Sequence, residues 1–328
     1  MSNKFKLVQQ IIITILIFSF QACSIKLPVE IEKVKSSKNS YDRTTHNNLK
    51  KEVTFKNGIL DDKKVVIGTF KDMWYLQQNK KNIESYTFIK NALINEFDAR
   101  KLPFKETNES VNIISIDKFK IYTHVSFAFG PVVYFSMLKV TAKIDGKEKS
   151  FSSIVKRAKV TALSRQAYVD SCYNEPIRIL VKEITSKINR EYFKYKLSDK
   201  KIESIVNDIK IGIEEKDKSN YLNIYELGFS NNENAVPFLI KYSNNPDEYL
   251  RLSSISILGL IGGESQFDYL VSKYKNSKLW QDRAFALKAI SDINTKKSKE
   301  FIKQEYNLWK NKDTKEGKWY KMLMEVYM

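Results

Sequence analysis

Thiols and imidazoles are the scarcest reactive side chains in this 328-residue chain, which has two cysteines, Cys23 and Cys172, and two histidines, His46 and His124. A thiol can be acylated, join a disulfide or bind a soft metal, and an imidazole can bind zinc or carry a proton. Spacing narrows these options. Neither histidine has a second His, Cys or carboxylate at ligand spacing, so no metal site is expected. No phosphate-binding loop, nucleophile elbow or paired-carboxylate motif occurs either. No catalytic residue and no cofactor is assigned, and the expectation is a protein that binds and is not an enzyme.

Cys23 stands apart because of what precedes it. Lys4 and Lys6 give a positive start, Ile11 to Phe20 an apolar run, and Ala22 a small residue just before the thiol. That order is the layout of an export signal. The run is shorter than the roughly 20 residues that span a bilayer. Ordinary secretory cleavage after Ala22 needs small residues one and three positions before the cut, and Phe20 is large. The stretch MSNKFKLVQQIIITILIFSFQACS resembles a bacterial lipoprotein signal. That resemblance implies that residues 1–22 are a signal peptide and that Cys23 is acylated as the first residue of the mature chain. Ser24 in place of Asp implies the outer membrane, facing the periplasm. More than one acyl chain would make the anchor stable. Cys172 is then left without a partner, and a buried, inert thiol is expected there.

Composition sets the remaining bounds. The formal charge is +18, and loss of Lys4 and Lys6 with the signal leaves +16. Such an excess can favour nucleic acid or an anionic membrane surface. Here it is mostly lysine, spread along the chain among Glu and Asp, while arginine, which reads phosphate and base edges, is scarce. Nucleic acid is therefore not expected as a partner, and no small-molecule substrate is evident. With 42% hydrophobic residues, the chain can fill two ordinary cores.

Residues 23–60 are polar and rich in Ser, Asn and Lys, and read as a flexible tether. An α+β unit is expected over 61–198. Val65 to Ile67 read as a buried strand, and Tyr86, Ile89, Leu93 and Phe97 share one helical face that Pro103 ends. Three strand-like segments follow, NIISIDKFKIYTHVSF, VVYFSMLKVTAKI and EKSFSSIVKRAKV, with Asp145-Gly146 as a hairpin turn. A helix from Ser164 to Tyr195, kinked or divided at Pro176, closes the unit. The expected fold is a two-layer α+β domain, an antiparallel-rich sheet covered by two helices. Its order of elements is similar to that of accessory lipoproteins of ABC-type transport systems.

Residues 199–328 read as wholly helical with an internal repeat. At an offset of 32 residues, VPFLIKYSNN overlies DYLVSKYKNS and RLSSISILGLIG overlies RAFALKAISDIN. A weaker third copy places Ile224, Leu227 and Gly228 over Ile255, Leu258 and Gly259. RLSSISILGLIGG resembles the second helix of a HEAT-type repeat, which implies a short solenoid that must be capped. The array is expected to dock on the α+β unit or to use the aromatic tail around Trp309, Trp319 and Tyr320 as its lid. Arg251 and Arg283, with Asp247 and Asp282 nearby, are expected to pair at helix starts within each repeat. Trp74 and Tyr75 are expected to pack or to cover the sheet edge. The leading expectation is a lipid-anchored protein-binding scaffold acting through the repeat surface. The alternatives are an accessory lipoprotein of an envelope transport or assembly complex acting through the α+β domain, and an envelope hydrolase or lyase.

Overall fold

The computed structural model describes residues 26–42, 50–59, 64–71, 73–125, 130–160 and 165–328. The signal segment, Cys23 and His46 lie outside them. Over these residues the chain has mixed α and β content, with a sheet-bearing part followed by a helical part.

The main sheet is built around three long strands. β7 (Ile113–His124), β8 (Val132–Ile144) and β9 (Lys147–Lys159) run antiparallel as a meander. Asp145 (φ 52°) and Gly146 (φ 77°) form a two-residue turn between β8 and β9. Both positive φ values are what a tight hairpin demands. On the other side of β7 lie β2 (Lys51–Asn57) and β3 (Val66–Gly68), both parallel to it, with β6 (Phe104–Glu106) outside β2. The sheet is thus mixed, with an antiparallel half and a parallel half. β1 (Leu27–Glu30), β4 (Trp74–Gln78) and β5 (Lys81–Asn82) form a second, small sheet.

Strand alternation decides which face is covered. Tyr134, Leu138, Val140, Ala142 and Ile144 of β8 are fully buried. The helices that cover the sheet are α1 (Ser85–Ala99) and α3 (Glu175–Tyr192), which also pack on each other. The expected long helix is divided as foreseen near Pro176: α2 (Arg165–Val169) runs into a π turn at Asp170–Asn174, and Pro176 sits in the first turn of α3. There its missing N–H costs nothing.

The tether reading of residues 23–60 is corrected for the described part. Leu27–Glu30 pairs with β4, Ile31 donates to the Gln77 carbonyl, and Lys51–Asn57 is a strand of the main sheet. Between them Ser37 donates from its amide and hydroxyl to the buried carboxylate of Glu96, and Tyr41 donates to the Phe229 carbonyl at 2.7 Å. The segment is a belt held by partners distant in sequence. Local pattern shows none of them, and so its polar residues look like a linker.

The helical part comprises four antiparallel pairs. The outer members are α4 (Asp199–Glu214), α6 (Val236–Tyr242), α8 (Phe267–Asn276) and α10 (Lys296–Trp309); the inner ones are α5 (Tyr221–Gly228), α7 (Glu248–Gly262), α9 (Trp280–Ile293) and α11 (Lys315–Tyr327). Each inner helix packs on the next along the row. Gly259 permits the closest approach: a Cβ there would lie 1.7 Å from the Ala289 carbonyl oxygen. The repeat offset is visible in the bonding. Arg251 Nη1 donates to the Asn245 carbonyl at 3.0 Å, and Arg283 Nη1, 32 residues on, donates to the Ser277 carbonyl at 2.7 Å.

This array folds back onto the sheet. Trp319 of α11 packs on Phe135 with ring centroids 4.5 Å apart, and meets Tyr122 and His124 edge-on. Trp309 packs on Tyr320 at 4.7 Å. Side chains of α3, of β9 itself and of the array occupy carbonyls along the β9 edge. In the β8–β9 ladder, alternate residues of β9 turn their backbone groups away from β8. Lys187 donates to the Ser152 carbonyl, Arg157 to that of Lys156, and Tyr249 to that of Ala158. An open edge invites pairing with foreign strands, and here side chains occupy it.

Candidate functional site

One stretch of the β9 edge is left uncovered, and it borders a cleft of about 950 Å³ between the hairpin, α3, α9 and the last two helices. Three segments of the chain each bring two cations to its walls. Lys147 and Lys149 stand two apart on β9, Arg190 lies in the last turn of α3 with Lys194 just beyond its end in a left-handed conformation, and Lys299 and Lys303 stand four apart on α10. Residues two apart in a strand, or four apart in a helix, share a face. Like charges at such spacing repel by a few tenths of a kcal/mol per helical pair, so the fold tolerates this convergence at a cost.

Neutralisation within the cleft is partial. Glu191 forms ion pairs with Lys147 and with Lys149, the latter at 2.8 Å. Burial tends to raise the Glu191 pKa, but hydrogen bonds from the two lysines outweigh it and hold the carboxyl below its ordinary value. Among the described residues, Arg190, Lys194, Lys299 and Lys303 have no ion-pair partner. Burial lowers the Arg190 pKa, with Glu233 and Asp292 opposing the shift. The arrangement therefore offers four unpaired cations to an anion, with Phe151 and Tyr327 among the apolar residues of the walls.

At the inner end of the cleft lies a closed ring of charge. Lys187 donates to Glu183 and Asp292, both at 2.6 Å, and Lys288 donates to the same two carboxylates at 2.8 and 2.7 Å. It is electrically balanced and joins α3 to α9. Its members already serve one another, so it is structural glue and not a ligand-binding group. A second buried cluster, Arg100 with Glu96 at 3.1 Å and Glu226 at 2.8 Å, fastens α1 to α5.

The residues singled out in the sequence fall mostly elsewhere. His124 lies in β7 against Trp319, and among the described residues no group of three His, Cys, Asp or Glu can hold a metal. Trp74 stacks on Phe70 at 4.0 Å and on Tyr134 at 6.2 Å, and Tyr75 shares its strand. Cys172 is fully buried. Arg251 pairs with Asp282 of the following repeat at 3.0 Å, and Arg283 with Glu316. The expected pairing within each repeat is thus a pairing between repeats, while Asp247 caps its own helix at Leu250. The cleft itself was not foreseen. Its one sequence signal was cation pairs at i, i+2 and i, i+4, which cannot be told from solvated lysines until the three elements are brought together.

No family model matches the chain, and no curated protein sequence matches it. Among solved structures, one similar chain is a minor lipoprotein from Acinetobacter baumannii, with 9% identity over 46% of this chain and 98% of that one, at a TM-score of 0.29. Another, described as an uncharacterized protein, has 9% identity over 51% of this chain and 98% of that one, at a TM-score of 0.27. Likeness at that level supports no inference about fold or activity.

Proposed function

We propose that this chain is a lipid-anchored binding protein of the cell envelope, acylated at Cys23 and placed on the periplasmic face of the outer membrane. It works by engaging a protein partner and is not an enzyme. The observation that carries this reading is the convergence of six cations from three segments of the chain on one cleft. The HEAT-like array is not a free scaffold in this account. Its inner helices are spent on the sheet edge and on α3, so the working surface is the cleft to which both parts contribute. This supports an accessory lipoprotein of an envelope assembly over a solenoid that captures partners in its own concavity.

The anchor and the cleft are separated by the length of the body. Three residues, hence four peptide links, separate Cys23 from Leu27, a reach of at most about 14 Å, so the β1 end sits close to the bilayer. Trp74 of β4 stacks near Tyr134, whose partner in β9 is Arg157. From there to Lys147 the strand runs ten residues, roughly 33 Å.

Two measurements test this. Cys23→Ser should release the protein from the envelope fraction, and unchanged pelleting would refute the anchor. A photocrosslinking residue placed at Lys303 in intact cells should trap an envelope protein, and the same residue at the far surface position Lys210 of α4 should not. Equal capture at both positions would refute the cleft as the working surface.

A further inference from the structure

We propose that the cleft accepts an extended acidic peptide segment, which adds to β9 as a further strand beside Lys147–Phe151. This rests on the reading of the cleft as the working surface and names the chemistry of its partner.

Because the β8–β9 turn has two residues, Ile144 and Lys147 face each other as a bonded pair, and the residues paired inward are 147, 149 and 151. Glu148 and Ser150 therefore point their amides and carbonyls outward, in step with Ser152, Lys156 and Ala158. The latter three carbonyls are taken by Lys187, Arg157 and Tyr249. Among the described residues no group bonds to the outward backbone of Glu148 or Ser150. Side chains thus take three carbonyls along the upper edge, while the outward groups of Glu148 and Ser150 stay unbonded on exposed residues where the edge borders the cleft.

An open edge with room beside it is the geometry of strand addition, in which main-chain bonds give affinity and side-chain pockets give selectivity. Two outward residues offer up to four backbone hydrogen bonds, enough for a segment of about five residues. Lysines on an edge also deter unwanted pairing, and Lys147 and Lys149 do so here for neutral or basic strands. For an acidic strand the sign is reversed. Arg190 of α3 and Lys194 just past it flank the edge on one side and Lys299 and Lys303 of α10 on the other, so an added strand meets an excess of cations even with the Glu148 carboxylate on the same stretch. Successive side chains of a strand point to opposite faces. A run of consecutive acidic residues, not an alternating one, is the complement.

A phosphate ligand fits less well. Of the six cations five are lysines, which act as point charges, and the walls carry no cluster of arginine forks to grip a phosphate.

The test uses the full mature chain in detergent micelles and a fluorescein-labelled hexapeptide, Val-Glu-Glu-Asp-Glu-Val. Binding should be measurable by anisotropy and should weaken at least tenfold with Lys299→Glu combined with Lys303→Glu. N-methylation of alternate peptide amides removes backbone donors without changing charge, and it should weaken binding at least fivefold. Ser150→Pro removes the outward amide at an edge position that tolerates proline, and it should do the same with an unchanged far-UV spectrum. Equal affinity for the methylated and unmethylated peptides would overturn strand addition. Tripolyphosphate binding as tightly as the peptide, and indifferent to Ser150→Pro, would overturn the peptide as ligand. Absence of peptide binding while Lys303 still crosslinks a partner in cells would sink this inference and leave the proposed function standing.

Discussion

Lys288 of α9 donates to Glu183 of α3 at 2.8 Å with both side chains wholly shielded from solvent, and this contact ties the helical array to the sheet-bearing part. Lys187 and Asp292 complete the ring. Removing one member of a buried, balanced set leaves an uncompensated charge, at a cost of about 3–5 kcal/mol. Lys288→Met should lower the stability measured by urea unfolding by that amount. Lys288→Met combined with Glu183→Leu leaves Lys187 paired with Asp292, and should be more stable than the single variant. A double variant less stable than the single one would show that the ring is not an electrostatic unit.

The same ring sets a pH window. Burial tends to raise the Glu183 pKa, but Lys187 and Lys288 outweigh it and depress the folded value. The stability this contributes is fully present above the unfolded glutamate pKa, near 4.3, and is lost as pH falls through the lower folded value. Burial tends to lower the Lys288 pKa, but Asp292 and Glu183 raise it above the ordinary lysine value. Its contribution is present below the unfolded lysine pKa, near 10.4, and is lost as pH rises through the folded value. The ring's contribution to stability should be flat between those limits. The acid limb should be shallower in the double variant than in the wild type, and identical limbs would contradict the assignment.

Arg251 binds the start of the next inner helix, donating to both Asp282 oxygens at 3.0 and 3.2 Å and to the Asn245 carbonyl. Both partners are largely buried, with side-chain exposures of 14% and 7%, so solvent screens the pair little. Arg251→Ala should cost about 2–3 kcal/mol. Arg251→Lys should recover part of that, because lysine keeps the charge and loses the planar fork. Equal losses for the two variants would mean that packing, not hydrogen bonding, is what the arginine supplies.

Gly259→Ala poses a competition that magnitudes decide. Alanine gains about 1 kcal/mol of helix propensity. Its Cβ, however, would meet the backbone of Ala289 at 1.7 Å, and backbone cannot swing aside as a side chain can. Overpacking costs typically 1–3 kcal/mol and more where backbone must shift, so a net loss of about 2 kcal/mol is expected in thermal or urea unfolding. A stabilised variant would show that α7 and α9 are not in close contact.

Much of the architecture was legible because it rests on local period. The alternation in β8, the Asp145-Gly146 turn, the face of α1 and the 32-residue offset each follow from residues near one another in the chain. What escaped was held by long-range partners. Ser37 bonds Glu96 and Tyr41 bonds Phe229, so a polar stretch that looks like a linker is a packed belt. β2 adds to β7 in parallel and β6 to β2, and short parallel strands carry no turn signal of their own. The cleft was invisible for the same reason. Lys303 is brought to Lys149 and Lys194 only by the fold-back of the array.

Cys172 offers a probe of the whole body. It is fully buried beside the π turn, and burial is the main cause of its thiol pKa rising to about 12, with Lys159 and Arg157 opposing and Glu175 adding to the shift. A thiolate is the reactive form, so the folded protein should hold this cysteine inert at pH 8. In the Cys23→Ser variant it is the sole thiol, and Ellman's reagent should find none in the native protein and one after guanidinium unfolding. Slow native-state labelling should then follow opening of the fold, and destabilising variants such as Arg251→Ala should accelerate it. Rapid labelling of the native Cys23→Ser protein would show that the α2–α3 turn opens locally and that the thiol is available for chemistry.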